Sequence, residues 1–118
     1  MFRKMLKAKL HRATVTEANL EYEGSLTVDS NLLAEADILE FEEIHVWNVT
    51  RGTRLTTYAM NGDPGTGEVC VNGAGAHLVH PGDLVIVASF VAVEELMAAK
   101  HKPRILLLDE RNRVKQCV

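Results

Sequence analysis

A glycine followed by a serine is the first place in this sequence where the chain could carry out chemistry on itself. Gly24 and Ser25 follow Tyr22 and Glu23, and the four residues together predict a tight turn. Because glycine adopts backbone angles that strain other residues, the serine hydroxyl could approach the carbonyl group just before it. A plain turn is the simpler explanation. A serine hydrolase is disfavoured, because the G-x-S-x-G motif is missing and no histidine–acid pair accompanies the serine.

Three polar residues on one predicted strand, Arg54, Thr57 and Tyr58, are the next candidates for a site. The two-residue period of a strand places Arg54 and Tyr58 on one face and Thr57 on the other, unless the strand bends. An arginine on such a strand usually points to solvent. If Arg54 turns inward, its guanidinium group is suited to bind a carboxylate through two parallel hydrogen bonds.

A run of residues without bulky side chains, Gly73 to Ala76, follows Asn72. Backbone amides in such a segment are open to a ligand, which favours a role in binding. A tight turn would have the same composition, so the segment alone does not decide between the two interpretations.

The charged residues are distributed unevenly, although the net charge is only −3. Five of the thirteen basic residues lie within the first twelve positions: Arg3, Lys4, Lys7, Lys9 and Arg12. They form either a solvated strand face or a local positive field that attracts a small anion. The sequence pI of 5.9 and the aromatic content of 5% disfavour a nucleic-acid partner.

The length and composition predict one folded domain. At 118 residues, with 47% apolar and 25% charged residues, the chain suits one hydrophobic core and not two. Cys70 and Cys117 are expected as reduced thiols, and the histidines are scattered, so no metal site is expected. No apolar run reaches the roughly 20 residues of a membrane span, and the basic N-terminal segment lacks the apolar stretch of a secretion signal. We therefore expect a cytoplasmic protein without a membrane partner.

The pattern of apolar residues predicts many short strands and two small helices. Strands are expected at Leu6–Val15, Leu26–Val28, Ile44–Val49, Arg54–Met60, Glu68–Asn72, Leu84–Val93 and Ile105–Leu108. Helices are expected at Asn31–Ile38, with Asp29 or Ser30 as the N-cap, and at Glu94–Lys100. Because strands and helices do not alternate, the pattern favours a compact barrel over a parallel sheet.

Four segments together resemble one known family, the pyruvoyl-dependent aspartate 1-decarboxylases of bacterial pantothenate synthesis. The segments are Leu10–Asp29 (LHRATVTEANLEYEGSLTVD), Trp47–Ala59 (WNVTRGTRLTTYA), Val71–His77 (VNGAGAH) and Gly82–Phe90 (GDLVIVASF). They occur in the order and spacing of the family, and the resemblance covers about residues 1–93. Gly75 stands where alanine would be equally expected, and the position remains small.

The resemblance implies that the chain cuts itself between Gly24 and Ser25, giving a β chain of residues 1–24 and an α chain of residues 25–118. In the family, the serine hydroxyl attacks the glycine carbonyl, an ester forms, elimination breaks the chain, and loss of ammonia leaves a pyruvoyl group. Thr57 matches the position that stabilises the oxyanion of this shift, and Asn72 matches one that holds the processing geometry. The cofactor implied is a pyruvoyl group derived from Ser25, with no metal ion and no pyridoxal phosphate.

The resemblance further implies decarboxylation of L-aspartate to β-alanine and CO₂, which supplies β-alanine for pantothenate and coenzyme A. The substrate amine would form a Schiff base with the pyruvoyl group at position 25, and Tyr58 would donate the proton that replaces the carboxylate. The matching substrate-binding positions are Lys9, Arg54, Thr57, Gly73, Ala74 and Gly75.

The fold and assembly implied by the family are a six-stranded double-psi β-barrel with short helices and a homotetramer with active sites between subunits. A maturation factor that assists cleavage would be an additional partner. The alternative is a non-catalytic binding module, since small barrels of this kind also serve that role. Such a module would have no reason to combine Gly24, Ser25, Arg54 and Tyr58.

Overall fold

The computed structural model describes residues 1–118 and is mainly β with short helices, which confirms that part of the predicted fold class. The strands are β1 Phe2–Thr14, β2 Glu17–Asn19, β3 Ser25–Asp29, β4 Glu43–Asn48, β5 Arg54–Gly62, β6 Val69–Asn72, β7 Leu84–Glu94, β8 Arg104–Leu108 and β9 Val114–Cys117. The helices are α1 Ser30–Ala36, a 3-10 helix over Gly73–His77, and α2 Glu95–Ala98.

The nine strands form one hydrogen-bonded sheet in the order β2-β6-β3-β5-β4-β7-β1-β8-β9. Its longest pair is β1 with β7, antiparallel strands of 13 and 11 residues. Register shifts interrupt this pair twice, and at the second of them Arg12 takes a positive φ of 64°. Because bulges of this kind bend a strand and increase its twist, the two long strands can curve around the core.

The hydrophobic core is a single cluster of 20 buried residues. Its largest fully buried side chains include Leu10, Leu26, Ile44 and Leu106. Successive side chains of a strand point to opposite faces of the sheet. Because Leu26 points into the core, its neighbours Ser25 and Thr27 lie together on the other face of β3.

Helix α1 begins where the sequence predicted a cap. The Asp29 carboxylate accepts a hydrogen bond from the Asn31 amide at 2.9 Å, so Asp29 is the N-cap. The helix buries Leu32, Leu33 and Ala36 and ends at Asp37, whose φ of 59° is incompatible with another helical turn. Both α-helices fall short of the roughly 20 apolar residues that a membrane-spanning helix requires.

The number of strands differs from the six that the family resemblance implied. Two of the nine, β2 and β9, were not predicted from the sequence, and they are only 3 and 4 residues long. Neither has an apolar run; they form because β2 pairs in parallel with β6 and β9 pairs antiparallel with β8. The hydrogen bonding ends at β2 and at β9, so the sheet does not close into a ring.

Candidate active site

Ser25 is the first residue of β3. The tight turn predicted over residues 22–25 lies earlier in the chain, at Leu20 and Glu21, with bends at Tyr22 and Gly24. Only 6% of the surface of Ser25 is exposed, and the serine lies directly opposite Asn72 of β6 in the antiparallel register. The serine is therefore held by a sheet and not by a loose loop. Its side chain lies on the face of β3 that points away from the core.

Asn72 is the hydrogen-bonding partner of the Ser25 hydroxyl. Its Nδ2 donates to Ser25 Oγ at 3.0 Å and to Thr27 Oγ1 at 2.9 Å. On its other side, Asn72 Oδ1 accepts from the Cys70 thiol, with a sulfur–oxygen distance of 3.2 Å. Burial, together with the negative charges of Glu17 and Glu68, raises the pKa of Cys70 to about 11. The thiol is therefore protonated at neutral pH.

The glycine that the fold requires here is Gly73 and not Gly24. Gly73 has a φ of +70°, and a Cβ atom on it would lie 2.7 Å from both the N and the Cα of Gly24. Gly24 itself is not among the glycines with positive φ, and a Cβ there would meet no heavy atom within 4 Å. The expectation that Gly24 uses strained backbone angles is thus not met. The Gly24 backbone instead lies directly against Gly73, the first residue of the 3-10 helix.

Two pockets meet at Ser25. The smaller, of about 280 Å³, brings together most of the residues that the sequence assigned to processing and to substrate binding. Its lining consists of Gly24, Ser25, Leu55, Thr56, Thr57, Asn72, Ala74, Gly75 and Leu78. Small residues at 74 and 75 leave room in front of the serine. Leu55, Thr56 and Leu78 were not predicted as lining residues.

The larger pocket, of about 530 Å³, contains Tyr58 on the other side of Ser25. Thr27, Asn72 and the turn residues Glu21 to Glu23 also line it. The ring of Tyr58 packs against that of Phe41, with the centroids 6.4 Å apart. Tyr58 is therefore oriented by an aromatic contact at the rim of a pocket that reaches the serine.

Arg54 and Lys9 lie away from these two pockets within one chain. The Arg54 guanidinium group is 5.4 Å from the centroid of the Trp47 ring, and it lines a separate depression with Trp47 and Ile86. Lys9 is half-buried in β1, opposite Ala88 of β7. Neither residue lines the pockets that contain Ser25.

The register nevertheless places Arg54, Lys9 and Tyr58 on one face of the sheet. Lys9 pairs with Ala88, Ala88 pairs with His45, and His45 pairs with Thr56, two residues from both Arg54 and Tyr58. Directly paired residues share a face, as do residues two apart. The predicted separation of Arg54 and Tyr58 from Thr57 is thus confirmed.

The same face carries a cluster of three partly exposed rings, formed by His45, Trp47 and Phe90. The centroid of His45 is 5.2 Å from that of Phe90, and Trp47 is 6.4 Å from each of the other two. Together with Arg54, these rings form what we call the aromatic patch. Aromatic residues and arginine are enriched where protein surfaces associate.

Thr27 and Cys70 contact the site but were not identified from the sequence as site residues. The strand period could have identified them. Thr27 is two residues after Ser25, and Cys70 is two residues before Asn72, so Thr27 shares a face with Ser25 and Cys70 shares one with Asn72. What the sequence lacked was the pairing of β3 with β6, which places Thr27 opposite Cys70.

Comparison with known proteins identifies the family. The profile of the aspartate decarboxylase family matches residues 1–115, which extends the resemblance well beyond residue 93. An aspartate 1-decarboxylase of Myxococcus xanthus is 56% identical over 114 residues, covering 97% of this chain and 88% of the relative. Those of Legionella pneumophila (strain Lens) and Rhodopirellula baltica are 54% and 58% identical, covering 98% and 96% of this chain and 86% and 72% of the relatives. The chain therefore belongs to the aspartate decarboxylase family, a family of carboxy-lyases.

Proposed function

We propose that this protein decarboxylates L-aspartate to β-alanine and CO₂, after cutting itself between Gly24 and Ser25. The observation that carries the proposal is the surroundings of Ser25. Its buried hydroxyl accepts a hydrogen bond from Asn72, and the peptide before it lies against Gly73. A serine that only shaped a turn would need neither contact.

Self-cleavage uses groups of the chain itself together with water. Ser25 Oγ attacks the Gly24 carbonyl carbon; the C–O bond forms, the C–N bond breaks, and an ester with a free Ser25 amine results. Elimination then removes the Cα proton of residue 25, forms a Cα=Cβ double bond and breaks the bond between Cβ and Oγ, which releases residues 1–24 with a carboxylate end. The enamine that remains takes up a proton at Cβ, water adds at Cα and ammonia leaves, so that a pyruvoyl group remains on residues 25–118.

Thr57 and Asn72 assist this reaction from opposite sides of the serine. Thr57 lines the pocket that contains Gly24 and Ser25, where its hydroxyl can donate to the oxyanion formed on the Gly24 carbonyl. One donor of this kind contributes on the order of 3 kcal/mol to the transition state. Asn72 holds Ser25 Oγ through the hydrogen bond at 3.0 Å.

The residues around position 25 fit a pyruvoyl group. The group supplies a ketone that binds the substrate amine and accepts the electron pair left by CO₂. The two hydrogens of Asn72 Nδ2 are directed at the oxygens of residues 25 and 27, so the amide can hold a carbonyl oxygen there. Ala74 and Gly75 leave space for a small substrate beside it, and their backbone amides, with that of Gly73, bind it.

Tyr58 supplies the proton that replaces the departing carboxylate. It lines the pocket on the other side of Ser25. Tyr58 and Tyr22 are the two tyrosines in that lining. Tyr22 lies on the segment that cleavage releases from Ser25, whereas Tyr58 lies in the middle of β5. The fixed strand makes Tyr58 the better-positioned acid.

Arg54 and Lys9 bind the substrate carboxylates from a neighbouring copy of the chain in a homotetramer. The proposal rests on their separation from Ser25 within one chain and on the aromatic patch that surrounds Arg54. A partly exposed patch of this kind marks a surface suited to association. Arginine binds a carboxylate through two hydrogen bonds and so orients it, while Lys9 adds charge.

We further infer a double-psi fold and a role in the biosynthesis of coenzyme A. The three parallel strand pairs, β1 with β8, β2 with β6 and β3 with β5, support a double-psi connectivity within a mainly antiparallel sheet. The product β-alanine serves pantothenate and coenzyme A synthesis in the cytoplasm. A maturation factor is an additional proposed partner, and no nucleic acid, membrane or metal ion is involved.

The experiment that tests this function separates self-cleavage from turnover with Tyr58→Phe. The substitution keeps the ring against Phe41 and removes only the hydroxyl. We expect normal cleavage on a denaturing gel, and β-alanine formation slowed by about a hundredfold or more because the proton donor is lost. The control Ser25→Ala should remain one uncut chain without activity. A Tyr58→Phe protein that fails to cleave would instead assign Tyr58 to maturation, and wild-type protein that forms no β-alanine would contradict the function itself.

A further inference from the structure

We propose that Cys70 is a positioning residue for self-cleavage, because its thiol holds the Asn72 carboxamide with the nitrogen directed at Ser25. This inference rests on the proposed self-cleavage at Gly24–Ser25. The sulfur does not touch the reacting atoms, and Cys70 acts only through Asn72.

The register of β3 and β6 brings the four side chains together. Ser25 lies directly opposite Asn72, and Thr27 lies directly opposite Cys70. Because each residue is two positions from its neighbour on the same strand, all four share one face of the sheet. The pair Thr27 and Cys70 is thus the neighbour of the pair Ser25 and Asn72 on this face.

The hydrogen bonds within this group use every polar atom of the Asn72 side chain. Nδ2 donates one hydrogen to Ser25 Oγ and the other to Thr27 Oγ1, while Oδ1 accepts from Cys70 Sγ. Asn72 is 7% exposed and Cys70 4%, so water is largely excluded from replacing these partners. An unpaired amide oxygen at such a site would cost free energy.

The Cys70 thiol favours one of the two orientations of the Asn72 carboxamide relative to Ser25. A carboxamide can turn by 180° and exchange its oxygen and nitrogen, and the two hydroxyl groups accept or donate in either arrangement. The thiol breaks this symmetry, because S–H is a donor and sulfur is only a weak acceptor. Burial keeps the pKa of Cys70 at about 11, and the carboxylates of Glu17 and Glu68 oppose formation of a thiolate, so the donor persists at neutral pH.

The orientation matters for the first step of cleavage. With Nδ2 toward Ser25, the amide occupies a lone pair of Oγ and leaves the hydroxyl hydrogen free to depart as Oγ attacks. In the reversed orientation, Asn72 Oδ1 would hold that hydrogen, and an amide oxygen is too weakly basic to remove it. With Nδ2 toward Ser25, the amide donor stabilises the alkoxide formed on Oγ as its proton leaves, before the C–O bond is complete.

The test compares three substitutions that separate hydrogen bonding from packing. Cys70→Ser keeps a donor, Cys70→Val keeps an apolar side chain of similar size, and Cys70→Ala loses both. Freshly purified protein is incubated, and the fraction cut at Gly24–Ser25 is followed on denaturing gels, with thermal unfolding measured alongside. Cys117→Ala, which removes the exposed cysteine, is the matched control and should cleave like wild type.

We expect the cleavage rate to depend on whether the side chain at position 70 can donate a hydrogen bond to Asn72. Cys70→Ser should cleave at close to the wild-type rate, whereas Cys70→Val and Cys70→Ala should both be about threefold to tenfold slower. The opposite order, with Val like wild type and Ser slow, would show that Cys70 serves packing and would overturn the inference. Equal rates in all variants would also overturn it. Both outcomes leave the proposed function intact, because wild-type protein would still be cut between Gly24 and Ser25 and would still form β-alanine.

Discussion

Gly73 and Gly52 both have a positive φ, but they differ in what an added side chain would meet. Gly73 combines a φ of +70° with a close approach to the Gly24 backbone, at 2.7 Å from the position of an added Cβ. Gly52 has a similar φ of +77° but no heavy atom within 4 Å of such a Cβ. A side chain at either residue would therefore strain the backbone. Only at Gly73 would it also clash with the backbone of Gly24.

Replacing these two glycines by alanine should separate strain from clash. We expect Gly52→Ala to lower the free energy of unfolding by about 1–2 kcal/mol and to cleave normally, because only left-handed strain is added. Gly73→Ala should lose at least as much stability and also cleave far more slowly, because its methyl group displaces Gly24. The measurements are urea unfolding and the fraction cut over time. Normal cleavage in Gly73→Ala would show that the contact with Gly24 has no role in processing.

The sequence predicted individual site residues better than their contacts. Ser25, Thr57 and Asn72 were assigned by the resemblance, and the structure brings them together around one pocket. Cys70 was interpreted only as a reduced thiol. Cys70 and Asn72 lie on the same strand, but the contact of Asn72 with Ser25 depends on the register between β3 and β6. These strands are 40 residues apart along the chain, and no local pattern encodes their pairing.

Among the structural elements, the hairpin of β4 and β5 positions both Thr57 and Tyr58. The buried carboxylate of Asp83 stabilises the turn of this hairpin. Asp83 accepts hydrogen bonds from Asn48 Nδ2 and Arg51 Nε, both at 2.8 Å, and from the His80 amide at 2.9 Å. These contacts join the end of β4 to the turn before β7. Burial opposes ionisation of Asp83, but the three hydrogen bonds and the charge of Arg51 outweigh it and lower the pKa of the carboxyl group.

The carboxylate of Asp83 should make stability depend on pH. Because its pKa is lower in the folded than in the unfolded state, its contribution is fully present above the ordinary pKa of an aspartate and is lost as the pH falls through the folded value. We expect Asp83→Asn to lower the free energy of unfolding by about 1.5–3 kcal/mol at pH 7. The difference from wild type should shrink as the pH falls below about 4.

Urea unfolding at several pH values measures this contribution. Asp63→Asn, a change in an exposed loop residue, is the control and should resemble wild type throughout. A constant difference between Asp83→Asn and wild type from neutral to acidic pH would contradict the role of the charge.

The strands that could be predicted are those whose own residues are apolar and β-branched. The runs at Ile44–Val49 and Leu84–Val93 match β4 and β7 to within one residue at each end. The short strands β2 and β9 have no such run, and they exist because a distant strand offers hydrogen bonds. Sheet order and the parallel pairs likewise depend on contacts between remote segments, so local patterns could not supply them.

For the whole molecule, the central question is which chain supplies Arg54 to a given Ser25. Arg54 and Ser25 line different pockets of one chain, and we propose that they meet between copies in a tetramer. The claim can be tested by combining two variants that are each inactive, Ser25→Ala and Arg54→Ala. In mixed assemblies, the intact Ser25 of one copy would meet the intact Arg54 of another.

We expect co-expressed and jointly purified Ser25→Ala and Arg54→Ala chains to regain about a quarter of the wild-type aspartate turnover, the share of sites in a random mixture that receive both intact residues. Separately purified variants, combined only afterwards, control for exchange between assemblies. No activity above the sum of the two homogeneous variants would mean that Arg54 serves the Ser25 of its own chain.

The intact mass of the denatured wild-type protein tests self-cleavage most directly. We predict two chains, residues 1–24 and residues 25–118, in place of one chain of 13.1 kDa. The larger chain should be lighter by one ammonia than a fragment that begins with serine, because a ketone replaces the amine of residue 25. A single uncut chain in protein that decarboxylates aspartate, or a larger fragment with a free N-terminal serine, would contradict the origin of the cofactor in Ser25.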